Sequence, residues 1–245
     1  MKPISKEKIA EYVEQKIPEF HHNRLEKLKK LKLKEVLKRK NPYLFKVKYI
    51  VTAGDFIKTI LDAHLSSQEE TLFGGFLEGL AIYICNFVYN GTKSSAEGID
   101  LELEKDSSKY IVSIKSGPNW GNSSQINKMK DNFRKAKRIL GTNISSSLNV
   151  IAVNGCCYGK DNIPDKGEYL KLCGQRFWAF VSGNENLYTE LIDPLGHKAK
   201  EKNDQFLEEY GKVVNKFSLE FMEMFCDSTG SIHWDKVIQF NSGKK

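Results

Sequence analysis

Gly98-Ile99-Asp100-Leu101-Glu102-Leu103-Glu104 and Tyr110-Ile111-Val112-Ser113-Ile114-Lys115-Ser116-Gly117, separated by Lys105-Asp106-Ser107-Ser108-Lys109, decide the fold. Both runs alternate apolar with polar or charged residues, the period-two pattern of half-buried strands, and the polar break between them reads as a hairpin turn. With Asp106 facing Lys109 across a two-residue turn, Asp100 stands opposite Lys115 and Glu102 opposite Ser113, so all four share one face. Carboxylates are the hard oxygen ligands that magnesium takes, and a lysine beside them can orient a water or offset charge on a phosphorus centre. The same residues also suit the solvated face of an edge hairpin.

Outward from the hairpin, apolar periodicity gives helices on both sides. Residues 69–88 form an apolar helix that includes Glu78, and a shorter helix follows Thr52 as its cap. Downstream, Ser123 and Ser124 stand where a cap is wanted, and residues 125–140 place Ile126, Met129, Phe133, Ala136 and Leu140 on one helical stripe. Residues 148–154 are short and β-branched, as a buried central strand requires. A helix beginning at about residue 173, a short strand over 188–192 and a helix over 200–225 complete the pattern. The sum is an α/β domain with a central mixed sheet flanked by helices.

Residues 5–40 are helical in character and very basic; Leu25, Leu28, Leu33 and Leu37 can dock while the interleaved lysines face outward. Asn41-Pro42 stops that helix, which sets an N-terminal arm at 1–40 apart from a domain at 41–245. The arm fits a DNA clasp, a dimer contact or a solvated helix.

The formal charge of +7 favours a polyanionic partner, because each lysine or arginine laid against a phosphate releases condensed counterions. Five cysteines without a C-x-x-C pair or a neighbouring histidine argue against structural zinc and for a reducing compartment. No Walker spacing indicates a nucleotide cofactor, and no G-x-S-x-G elbow indicates a serine hydrolase. Met1 precedes charged residues, and no apolar run is read as approaching a membrane span, so a cytoplasmic protein is expected.

Asp100 after the Gly98 turn, a spacer, then Ser113-Ile114-Lys115 resembles the core of the PD-(D/E)XK nuclease superfamily. The run from Asn41-Pro42-Tyr43-Leu44-Phe45 through Ser66-Ser67-Gln68-Glu69-Glu70-Thr71 to Lys115-Ser116-Gly117-Pro118-Asn119-Trp120-Gly121-Asn122 resembles type II restriction endonucleases, with a looser likeness to those that cut interrupted GG…CC sites. The resemblance covers residues 41–225. It implies a restriction-endonuclease-like fold, Mg2+-dependent cleavage of double-stranded DNA and a homodimer. Asp100 and the Ile114 carbonyl would be metal ligands, and Lys115 would position the attacking water.

One position departs from the pattern. The superfamily carries Asp or Glu two residues before the lysine, where this chain has Ser113, which would keep only a water-mediated contact. Glu102, beside Ser113 in the pairing above, and Glu78, on the helix before the sheet, are the two available donors. Asn119, Trp120, Asn122, Gln125 and Lys160 follow the site and are candidate base readers, while Lys128 and Arg134 lie on the basic side of the 125–140 helix and could follow a DNA backbone. A junction or repair nuclease and an inactive DNA-binding protein remain the alternatives.

Overall fold

The structure, a computed structural model, describes residues 3–143 and 149–244; residue 148, the first of the strand expected over 148–154, lies outside them. In chain order the elements are α1 (Lys6–Lys29), α2 (Leu33–Leu37), α3 (Pro42–Val47), α4 (Ala53–Tyr89), β1 (Thr92–Lys93), β2 (Leu101–Lys105), β3 (Ser108–Lys115) and α5 (Ser123–Asn143). There follow β4 (Asn149–Cys156), β5 (Leu170–Cys173), α6 (Gln175–Ser182), α7 (Leu187–Glu190), α8 (Ile192–Leu195), α9 (Ala199–Phe225) and α10 (Trp234–Ser242).

The chain forms two compact units: residues up to Pro18 with Phe73–His197, and Glu19–Leu72 with residues from Lys198 onward. Their boundaries fall inside α1, inside α4 and between α8 and α9. In the second unit α2, α3, α9, α10 and the first part of α4 enclose Phe56, Ile57, Ile60, Phe217 and Phe221. Leu28, Leu33 and Leu37 of the basic N-terminal segment are buried while its lysines stay in solvent.

The first unit holds the sheet, in the order β1-β2-β3-β4-β5. β1, β2 and β3 run antiparallel, whereas β3, β4 and β5 run parallel, so the sheet is mixed as expected. Amphipathic α5 makes the crossover that the parallel β3–β4 pair requires. It lays Met129, Phe133 and Ala136 against Ile111 and Ala152 on one face. On the other face α6 sets Phe177 so tightly over Gly155 that no Cβ would fit there, and Phe180 meets Tyr110 edge-on.

The structure corrects several expectations. The hairpin turns at Asp106 and Ser107, both at positive φ (51° and 55°), which pairs Lys105 with Ser108 and Glu102 with Ile111. Both central residues of such a two-residue turn take positive φ, a region that aspartate tolerates well. Glu102 therefore lies beside Ile111 and not beside Ser113, and Asp100 is level with Ser113 rather than opposite Lys115. The shift is by two residues, so all four keep to the same face.

The two helices expected over 52–61 and 69–88 are one, α4, because the polar residues between them continue the helix instead of breaking it. α4 also contains an apolar window of mean hydropathy 1.5, long enough to span a membrane by length and composition, contrary to the expectation that none would. A third of that window is buried in the protein, including Leu77, Leu80, Ile84 and Val88. Residues 188–192 are not a strand but run from α7 through Leu191 into α8, and β5 occupies the approach to α6. Asn41 does not merely end a helix: its side chain accepts from Tyr43 N–H at 3.0 Å and caps α3. The cap of α5 is Asn122, not Ser123 or Ser124, and Asn122 and Gln125 bond each other's backbone N–H reciprocally at 3.1 and 2.9 Å.

Candidate active site

The site forms where β2 and β3 part. The ladder ends at Leu101↔Val112. Asp100, one residue beyond, donates its N–H to Val112 O at 2.8 Å and receives Ile114 N–H on its carboxylate at 2.6 Å. Gly98 makes this approach possible: it sits at φ +74°, and a Cβ there would overlap the Asn132 amide.

Lys115, at the end of β3, brings its ammonium to 2.9 Å from the Ile114 carbonyl and 3.8 Å from the Asp100 carboxylate. Two oxygens thus converge on one cationic group. Glu78 of α4 feels the charges of the Asp100–Lys115 pair. Burial, then the negative charge of Asp100, raises its carboxyl above the ordinary range, and Lys93 and Lys115 only partly offset this. The same burial-dominated environment, with Glu78's charge added, pushes the Cys157 thiol up to about 12.

Glu102 stands apart from this cluster. It bonds Ser94 Oγ at 2.7 Å and Lys109 Nζ at 2.9 Å. Burial alone would raise its pKa, but these partners outweigh burial and hold it below the usual carboxylate value. Ser113 is only 2% exposed, and its main-chain carbonyl accepts from Asn154 Nδ2 at 3.2 Å.

The residues expected to touch DNA are dispersed. Asn119 is exposed on the loop after β3. Trp120 donates its indole N–H to Asn154 Oδ1 at 3.1 Å, and Asn122 and Gln125 are engaged in the α5 cap. Lys128 pairs with Glu97 at 2.8 Å, while Arg134 pairs with Asp131 and Glu168. Lys160 lines a cavity of about 560 Å³ with Tyr158, Asp161, Gln175 and Arg176. Sequence reasoning missed Asn154, although an amide directly after the apolar run Val150–Val153 of β4 was a visible signal of a buried polar contact.

Among the described residues no three His, Cys, Asp or Glu side chains lie close enough to hold a metal by themselves. A divalent cation here would need a main-chain donor, and the Ile114 carbonyl already shares Lys115 with Asp100. Hard carboxylate and carbonyl oxygens are the donors magnesium accepts, with waters completing its shell. The residues present fit such an ion.

A mixed five-stranded sheet flanked by helices, with an acid and a lysine set at the edge of its antiparallel hairpin, defines the restriction-endonuclease-like class of nucleases. Within that class, the family described as Type II restriction endonuclease EcoO109I matches residues 7–203, and the chain belongs to it. No curated protein matches the chain closely enough to stand as a relative.

Proposed function

We propose that the chain is a Mg2+-dependent type II restriction endonuclease that hydrolyses phosphodiester bonds at a specific double-stranded DNA site. The convergence of the Asp100 carboxylate and the Ile114 carbonyl on Lys115 carries this reading. Asp100, Glu78 and the Ile114 carbonyl would hold the metal, with Glu78 supplying the charge that Ser113 lacks. A cation held there would supply charge neutralisation at the scissile phosphate and a more acidic water. Lys115 orients that water and offsets charge as the phosphorus centre is attacked. Glu102, tied to Ser94 and Lys109, serves the hairpin.

Cutting both strands of a symmetric site calls for a two-fold dimer, one active site addressing each strand. The likeness of Lys115-Ser116-Gly117-Pro118-Asn119 to enzymes of interrupted GG…CC sites makes such a site the first to test, in a protein working in the cytoplasm. Ser113 in place of an acid favours a second reading, a DNA-binding protein without activity. Incubation with several plasmids and magnesium separates the readings. Discrete fragments mean restriction, smears a general nuclease, and retarded intact DNA binding alone.

A further inference from the structure

Lys115 has a third neighbour besides its two oxygens. Its ammonium lies 5.4 Å from the centroid of the Trp120 ring, within the range over which an aromatic face attracts a cation. Trp120 is not a loosely placed loop residue. Its body packs against the core under α5, next to Ile111 and Ala152, and its Nε1–H donates to Asn154 Oδ1 at 3.1 Å.

Asn154 is 1% exposed, and the parallel register sets it beside Ser113. Its amide bridges two fixed groups, taking the indole N–H on its oxygen and giving its Nδ2–H to Ser113 O at 3.2 Å. The orientation of the amide follows from its partners, because the indole can only donate and the carbonyl can only accept. The loop is fastened further at Pro118, whose carbonyl accepts from Lys171 Nζ at 3.0 Å.

We infer that Trp120 and Asn154 are positioning residues for Lys115: Asn154 locks the indole to β3, and the indole face seats the ammonium beside Asp100 and Ile114. This rests on the nuclease reading and adds to it a reason why Lys115 is held in place without an acid at position 113. A flexible lysine loses much rotamer freedom when fixed, and a rigid aromatic floor reduces the part of that loss left for the reaction step. Trp120 is thereby assigned away from base reading, since its one polar atom is already bound inside the protein.

The test compares wild-type protein with Trp120→Leu and Trp120→Phe on a plasmid that the wild type cuts. Trp120→Leu should slow single-turnover cleavage in Mg2+ about 2- to 30-fold, the range of a partly desolvated cation–π contact. Its affinity for the same DNA in EDTA should be unchanged, and Trp120→Phe, which restores a ring face but not the bond to Asn154, should recover only part of the rate. In the wild type, NMR should place the Lys115 ε-methylene protons upfield under the indole ring current, and Trp120→Leu should return them to the ordinary position. Unchanged cleavage by Trp120→Leu, or an equal loss of DNA affinity, would overturn the inference. So would an ordinary Lys115 shift in a wild type that cuts, a measurement that stands even if Trp120→Leu does not fold. A wild type that cuts no DNA overturns the nuclease reading instead, whatever the Lys115 shift.

Discussion

The backbone N–H of Ile114 donates to the Asp100 carboxylate at 2.6 Å, so the acid takes the place that a strand carbonyl would occupy and is fixed against the residue preceding Lys115. Asp100 is therefore both a proposed metal ligand and a piece of the sheet. The two roles separate by substitution. Asp100→Asn keeps an acceptor oxygen and should fold with little loss. Asp100→Ala leaves the Ile114 N–H without its partner, at a cost of about 1–3 kcal/mol. Thermal unfolding of the two variants should differ by several degrees, and equal midpoints would show that the bond does not support the hairpin.

Glu78 and Glu102 should behave as opposites. Glu78→Gln should lower Mg2+-dependent cleavage by orders of magnitude, since a lost metal ligand forfeits several kcal/mol of charge stabilisation, on the order of a hundredfold or more in rate. Glu102→Gln should leave the rate nearly intact and cost on the order of 1 kcal/mol of stability through Lys109 and Ser94. Cleavage rates that rank the other way would make Glu102 the donor.

The pH dependence of stability follows from the same two carboxyls. Glu78 is raised in the folded protein by burial and by Asp100, so its ionised form opposes folding at neutral pH, and the opposition fades as pH falls through its folded value. Glu102 is lowered, so its contribution is present above its unfolded value and lost as pH falls through its folded one. Metal-free Glu78→Gln should thus unfold at a higher temperature than wild type at pH 7, with the gain shrinking towards pH 4. A lower midpoint for Glu78→Gln at pH 7 would contradict the burial of Glu78 and its repulsion by Asp100.

Much of the hairpin was legible in the sequence. Alternation over 98–104 and 110–117 identifies the hairpin and the shared face of Asp100 and Lys115, and the stripe from Ile126 to Leu140 identifies α5. Register was not legible, because Asp106-Ser107 and Ser107-Ser108 are both chemically acceptable turns and only the closed sheet chooses between them. The choice between Glu78 and Glu102 turned on that register and on the packing of α4, neither of which is local. The four-residue helices α7 and α8 carry too few positions for a period to appear, and β5 is defined by its neighbour β4 more than by its own residues.

Gly98 should tolerate no side chain. Gly98→Ala adds a Cβ in the left-handed region and drives it into the Asn132 amide, two residues before Asp100. The conformational part alone costs about 1–3 kcal/mol, and displacement of Asp100 should reduce cleavage well beyond the change in stability. A Gly98→Ala protein that cuts and melts like wild type would remove Gly98 from the account of the site.

The basic face of α5 divides in two. Lys128 and Arg134 already pair with Glu97, Asp131 and Glu168, whereas Lys135 and Arg138 line the same groove exposed and, among the described residues, without an ion pair. Neutralising Lys135 or Arg138 should lower the salt slope of DNA binding by about 0.9 each, and neutralising Lys128 should change it less. Equal slopes throughout would assign this face to solvent.

The most direct measurement is single-turnover cleavage of a plasmid in Mg2+ by wild type and Asp100→Asn, with DNA binding by both measured in EDTA. Discrete fragments from the wild type, none from Asp100→Asn and equal affinities are the predicted result. Cleavage by Asp100→Asn at the wild-type rate, or a wild type that binds and never cuts, would contradict an active site built on Asp100, Glu78 and Lys115.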